Sequence, residues 1–137
     1  MQRAKDLMTK NVFHVKKDTP ILNAVELLAT RNITGIPVVE DDMSLIGILS
    51  EKDVLKLLFE DGDVGNFTVN EFMTQPAVFF DEDESFEDIC QCLLQNYFRR
   101  VPVTSKGKLV GILSRSDIIK TILKQKTQNN KFVNNSA

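Results

Sequence analysis

Apolar positions recur along this chain at two spacings, one suited to strands and one to helices. Ile21, Ala24, Val25, Leu28 and Ala29 fall on one helical face, with Thr19 the expected N-cap and Pro20 in the first-turn position that tolerates proline. Ahead of that helix, Asn11 to Val15 (NVFHV) reads as a short strand. After it, IPVVE and SLIGILS flank an acidic turn and predict a hairpin. A further helix is expected from Glu51 to Phe59. The order is β-α-β-β-α.

That order is then written again. Leu7-Met8-Thr9 aligns with Phe72-Met73-Thr74 at a shift of 65 (72 − 7), and Ile36-Pro37-Val38 aligns with Val101-Pro102-Val103 at the same shift. One residue drops from the hairpin turn, so Gly47-Ile48-Leu49-Ser50 meets Gly111-Ile112-Leu113-Ser114 at a shift of 64 (111 − 47), and Asp53 meets Asp117. In the second copy AVFF (77–80) is the short strand, Ser85 caps the first helix with Asp88 three residues on, and the last helix spans Arg115 to Lys124. Pro37 and Pro102 cannot donate to a ladder and should mark strand starts or edges. The expected division is repeat 1 (1–60), a glycine-containing connector (61–68), repeat 2 (69–124) and a polar, mobile tail (125–137). Each half is too small to bury much alone, so a mixed α/β (α+β) fold of two halves with a shared core is expected.

Composition narrows the function. With 42% hydrophobic and 26% charged residues the chain should be an ordered globular domain. A net charge of −2 argues against a nucleic-acid binder that works by neutralising phosphates. No apolar run approaches the roughly 20 residues of a membrane helix, and the polar start MQRAKDLMTK has no signal-peptide pattern. Cys90 and Cys92 sit two apart in a helical pattern, so their side chains diverge and a disulfide between them is not expected. These features point to a cytoplasmic protein with reduced thiols. His14 has no partner at catalytic spacing, the acidic run 81–84 lacks an EF-hand pattern, and KGKLVG (106–111) lacks the ending of a Walker loop. No nucleophile–base pair and no zinc ligand set stands out, so an enzyme is not expected and no cofactor or metal is required.

Candidate chemistry gathers at Ser50-Glu-Lys-Asp53 and Ser114-Arg-Ser-Asp117. A serine before an apolar helix with a carboxylate three residues later is a helix cap. The same geometry offers a hydroxyl and free N–H groups to a phosphate, and a carboxylate suits the paired hydroxyls of a ribose. Both readings are compatible. Arg99-Arg100 precede the strand expected to pair with the one ending at Ser114, and guanidinium forks match phosphate oxygens. At a helix C-terminus the same pair also complements the helix dipole. Repeat 1 differs: Thr34-Gly35 replaces the arginines, and Lys52 stands where repeat 2 has Ser116.

Tandem β-α-β-β-α units with hydrophobic-Pro-Val-Val and Gly-h-h-Ser-x-x-Asp resemble the CBS domain pair, or Bateman module, over residues 5–124. The resemblance implies tandem CBS repeats packed about a pseudo-two-fold axis with two clefts between them. It implies an adenosine ligand there (AMP, ADP or ATP, with S-adenosylmethionine also possible), a homodimer, and control of a separate effector protein. By resemblance Asp53 and Asp117 hold ribose hydroxyls, Ser114 and Ser116 meet ribose or phosphate, and Arg99 and Arg100 meet phosphates, as basic residues do in the nucleotide-sensing subunit of AMP-activated protein kinase. The second-copy cleft is then the better site, with Arg115 and Pro102 beside it. Thr74, Ala77, Val78, Val101 and Ile112 are candidates to line it. The first-copy counterparts are Thr9, Val12, Thr34, Gly35, Ile36, Pro37, Ile48, Ser50 and Lys52. A ligand-free dimerisation module is the competing expectation.

Overall fold

The structure, a computed structural model, describes residues 1–135, with side chains described through Gln128. Helix α1 (Ala4–Leu7) precedes β1 (Val15–Lys16), α2 (Ile21–Arg31), β2 (Gly35–Val39), β3 (Leu45–Ser50) and α3 (Glu51–Leu55), which tightens into a 3-10 turn over Lys56–Phe59. Short 3-10 turns at Val64–Asn66 and Val69–Glu71 lead to β4 (Phe80–Asp81), α4 (Phe86–Gln95), β5 (Arg100–Ser105), β6 (Lys108–Ser114) and α5 (Arg115–Asn135). Each repeat forms one three-stranded sheet, in the orders β1-β2-β3 and β4-β5-β6. The first pair of each sheet is parallel, joined through a helix, and the second pair is an antiparallel hairpin. The fold is mixed α+β, as the repeated pattern implies. Lys106 and Gly107, both at positive φ, make the two-residue turn that closes β5 onto β6.

The two halves exchange their leading segments. Thr9 and Ile112 trade backbone N–H···O bonds of 2.9 Å each, so the start of repeat 1 lies on the sheet of repeat 2. Thr74 and Ile48 do the same in the other direction, at 2.8 and 2.9 Å. Packing follows the exchange. Ala4, Leu7 and Met8 join the core of Phe80, Ile89, Val101, Val103 and Leu113, whereas Val69, Phe72 and Met73 join that of Ile21, Ile36, Val38 and Leu49. The glycine in each GILS explains itself here. A Cβ on Gly47 would stand 2.7 Å from the Thr74 carbonyl oxygen, and one on Gly111 would stand 3.0 Å from that of Thr9.

Several boundaries differ from the sequence pattern, each for a local reason. The strands expected at 11–15 and 77–80 begin only at Val15 and Phe80, because the chain has first to cross from the opposite repeat. Helix α2 starts after Pro20 without a side-chain cap, since Thr19 Oγ1 instead accepts from Lys16 N at 3.0 Å. Ser85 does cap α4, accepting from Asp88 N at 3.2 Å. Pro37 and Pro102 lie inside central strands rather than at their starts. The short strands β1 and β4 pair only with the residues beyond them (Val38 and Val39, Val103 and Thr104), so neither proline faces a parallel neighbour. Helix α5 continues past Lys124 to Asn135, over most of the segment expected as a polar tail, because the sequence there holds no glycine or proline to stop it. Residues 136–137 lie outside the described residues.

Candidate functional site

The second strand of each sheet is longer than the first, and this leaves a flank uncovered between the repeats. A cavity of about 590 Å³ opens there. Repeat 1 contributes Thr34, Gly35 and Pro37 from the start of β2, Ile48 and Ser50 from β3, and Glu51 and Lys52 from the first turn of α3. Repeat 2 contributes Thr74, Pro76, Ala77 and Val78 from its crossing segment. Tyr97, Phe98, Arg99, Arg100 and Val101 add the loop into β5, and Ile112 adds a wall from β6. The exchange of leading segments makes this a hybrid site, because Thr74 reaches Ile48 before its own sheet begins.

The Ser-x-x-Asp motif of repeat 1 is a complete capping box. Ser50 Oγ accepts from Asp53 N at 3.3 Å, and Asp53 Oδ2 accepts from Ser50 N at 2.9 Å. Asp53 Oδ2 also accepts from Ser50 Oγ at 2.9 Å, and Oδ1 accepts from Thr74 Oγ1 at 3.0 Å. Lys56 Nζ stands 3.4 Å from Oδ1. The Asp53 side chain is only 3% exposed and offers no free oxygen to the cavity. It orients the Ser50 and Thr74 hydroxyls that do line it. Where a ribose contact was expected, the carboxylate lies behind two hydroxyls and brackets the two repeats.

The lining also carries three cations. Lys52, Arg99 and Arg100 line the cavity, Glu51 is the carboxylate among its lining residues, and none of the three is ion-paired within 4 Å among the described residues. Arg100 Nε is buried without a hydrogen-bond partner. Such an atom carries a desolvation cost until something accepts from it. Arg99 Nε donates to Tyr97 Oη at 3.4 Å, which holds the Tyr97 phenol below its ordinary range and further favours the Arg99 cation. The other walls are apolar, from Pro37, Ile48, Ala77, Val78, Val101 and Ile112. A flat ring with an anionic tail suits that division.

The grouping differs from the expected one. Arg99 and Arg100 face Ser50 and Lys52 of the first motif, and the second motif lies outside this cavity. Ser114 Oγ and Ser116 Oγ hydrogen-bond each other at 2.9 Å, Asp117 Oδ2 accepts from Ser114 N at 3.0 Å, and Asp117 lines a separate depression with Asp6, Glu87 and Lys120. Arg115 turns away to carbonyls of the α4 end. Pro102 and Ile36 are fully buried in the cores, Thr9 is spent on the bridge to Ile112, and the carbonyl of Val12 lies 3.0 Å from His14 Nδ1. The physical reason is the exchange, which hands the entry segment of repeat 2 to the motif of repeat 1. Glu51, Pro76, Tyr97 and Phe98 line the cavity without having been singled out; Tyr97-Phe98 directly precede the arginine pair, which was the available signal.

A profile for the CBS domain matches residues 4–60 and again residues 69–124. The chain belongs to the CBS-domain family. Among relatives, protein MJ1225 of Methanocaldococcus jannaschii is 33% identical over 118 residues, covering 86% of this chain and 42% of its own length. CBSX2 of Arabidopsis thaliana is 33% identical over an alignment that covers 90% of this chain and 66% of its own length, so the chain spans less than two thirds of either relative. The structure of CBSX2 in complex with AMP superposes with a TM-score of 0.81 at 33% identity, covering 92% of this chain and 99% of that one. The CBS pair of MJ0100 in complex with 5′-methylthioadenosine and S-adenosyl-L-methionine gives 0.75 at 25% identity, over 91% and 98%. CBS pairs related to this chain thus hold adenosine compounds. Inosine-5′-monophosphate dehydrogenase of Thermoplasma acidophilum matches over only 23% of its length. Among the described residues, no helix is long and apolar enough to cross a membrane.

Proposed function

We propose that this CBS pair is a regulatory module, not an enzyme, that binds an adenine nucleotide in the cavity between its repeats. The adenine and ribose lie along Pro37, Ile48, Ala77, Val78 and Ile112, and the phosphates lie on Arg99, Arg100 and Lys52. The observation that carries this reading is the Arg100 Nε, buried and without an acceptor beside two further unpaired cations. A phosphate oxygen supplies that acceptor, and charge-assisted bonds of this kind are the strong ones. AMP, ADP and ATP share this chemistry; S-adenosylmethionine, a sulfonium cation, does not.

Regulation follows from where the contacts come from. Lys52 and Ser50 belong to repeat 1 and the arginines to repeat 2, so a ligand touching both favours one relative placement of the halves. The output passes to a separate effector protein through a homodimer. Leu55, Leu58 and Phe59 are 65%, 80% and 81% exposed, and the residues 64 positions on, Ile119, Ile122 and Leu123, are 63%, 40% and 64% exposed. Equivalent apolar triplets on pseudo-symmetric helices suit a self-complementary contact. They also favour the second reading, a dimerisation module with no ligand.

Isothermal titration with AMP, ADP, ATP and S-adenosylmethionine separates the two readings, with sedimentation velocity alongside. The nucleotide reading expects saturable binding of at least one phosphorylated ligand and weaker binding of S-adenosylmethionine. A folded dimer silent to all four ligands favours the scaffold.

A further inference from the structure

Arg115 stands in the second Ser-x-x-Asp motif, yet it lines no part of the cavity and its guanidinium is committed elsewhere. We propose that Arg115 is a positioning residue for phosphate recognition, holding the loop 96–100 so that Arg99 and Arg100 face the cavity; this rests on the nucleotide reading above. Its Nε donates to the Phe98 carbonyl at 2.6 Å, and one terminal nitrogen donates to the carbonyls of Asn96 at 3.1 Å and Leu93 at 3.5 Å. Its backbone N–H donates to the Arg99 carbonyl at 2.9 Å. The guanidinium carbon also lies 4.8 Å from the centroid of the Tyr97 ring, whose hydroxyl accepts from Arg99 Nε at 3.4 Å. One side chain therefore grips the loop from the end of α4 almost to the first residue of β5.

The two repeats differ in a way that makes this grip necessary. Helix α2 ends at Asn32 in the left-handed region (φ 52, ψ 46), and Ile33 N then donates to the Leu28 carbonyl at 3.4 Å. That turn closes its own carbonyls. Helix α4 ends at Asn96 in extended backbone (φ −133), which cannot close in this way and leaves carbonyls that need donors from elsewhere. The position equivalent to Arg115 in repeat 1 is Glu51 (115 − 64), whose carboxylate has no donor to give. Only the backbone bond survives there, from Glu51 N to the Thr34 carbonyl at 3.1 Å. A rigid fork of several donors is what a set of splayed carbonyls requires, and lysine does not supply one.

The experiment compares AMP with adenosine by titration calorimetry in wild type, Arg115→Met, Arg115→Lys and Tyr97→Phe, with thermal melts to verify folding. The ratio of the two affinities isolates the phosphate contribution, which a merely structural residue would not move. In Arg115→Met, AMP binding is expected to weaken roughly tenfold or more while adenosine changes less than about twofold. Arg115→Lys is expected to recover little of that ratio. Tyr97→Phe keeps the ring beneath Arg115 but removes the acceptor for Arg99, and should reduce the ratio about threefold. Tyr97 is the single tyrosine and the chain has no tryptophan, so its emission should change in Arg115→Met as the stacked cation leaves. An unchanged AMP-to-adenosine ratio in folded Arg115→Met overturns the proposal; should that variant not fold, an unchanged ratio in folded Arg115→Lys does so. Wild type silent to AMP, ADP and ATP overturns the nucleotide reading and this inference with it, whereas wild-type binding with an unmoved ratio in the variants overturns this inference alone.

Discussion

Replacing Arg100 with methionine should move ligand affinity and stability in opposite directions. Methionine keeps an unbranched stem to fill the same space and deletes the guanidinium. In the empty protein Arg100 Nε is buried with no acceptor, and the side chain shares the cavity with Arg99 and Lys52. An unsatisfied buried polar group costs about 1–3 kcal/mol. Some of that cost is recovered when the lost stem packing is set against it, so Arg100→Met is expected to leave the empty protein unchanged or about 1 kcal/mol more stable. For a chain of this size 1 kcal/mol corresponds to a rise of about 4 °C in Tm. In the complex the same change removes charge-assisted bonds to phosphate worth about 1.5–3 kcal/mol, which weakens AMP roughly 10- to 150-fold. Adenosine, which has no phosphate, should bind both proteins alike. Thermal melts with and without AMP, combined with calorimetric titrations, read all three quantities. A clear loss of stability in the empty protein, or an AMP affinity that does not change, would refute the reasoning, because Arg100 would then have a structural partner or no ligand role.

Three further outcomes follow from the geometry. Asp53→Ala should cost about 3 kcal/mol in urea denaturation and Asp117→Ala about 1, since Asp53 is buried and bridges Ser50 to Thr74 of the other repeat whereas Asp117 only caps its own helix; equal costs would contradict the bracket role. Gly47→Ala puts a methyl group 2.7 Å from the Thr74 carbonyl oxygen and should destabilise by about 1–3 kcal/mol, and a neutral result would argue against the exchanged segments. The Tyr97 phenol should ionise below its ordinary pKa of about 10, because Arg99 favours the phenolate, and Arg99→Met should return it upward. Ultraviolet titration of the single tyrosine reads this directly, and a titration unaffected by Arg99→Met would remove that contact from the account.

Much of the fold was legible because the chain repeats. Shifts of 65 and 64 residues aligned every major element, and the hairpins, the Ser50–Asp53 capping box and the Ser85 cap stand where the spacing put them. The exchange of leading segments was not read from the pattern, since periodicity describes local faces and carries no information about which half a segment joins. Its trace was present in the glycines of the two GILS strands, where a mid-strand glycine marks close backbone approach. The strand pairing was read correctly, since Arg100 stands opposite Ser114 in the sheet, but the cavity that Arg99 and Arg100 line is shared with Ser50 and Lys52. The aspartates illustrate a different limit. Spacing alone leaves a cap and a ribose clamp equally open, and the structure shows the cap complete, with Asp53 buried between the Ser50 and Thr74 hydroxyls.

Crystals grown with AMP test the central claim most directly. The account expects ligand density in the cavity between the repeats, with the phosphate within hydrogen-bond distance of Arg100 and the base against Ile48, Ala77 and Ile112. A cavity without ligand at saturating AMP, or a phosphate seated instead at Ser114 and Ser116, would contradict it.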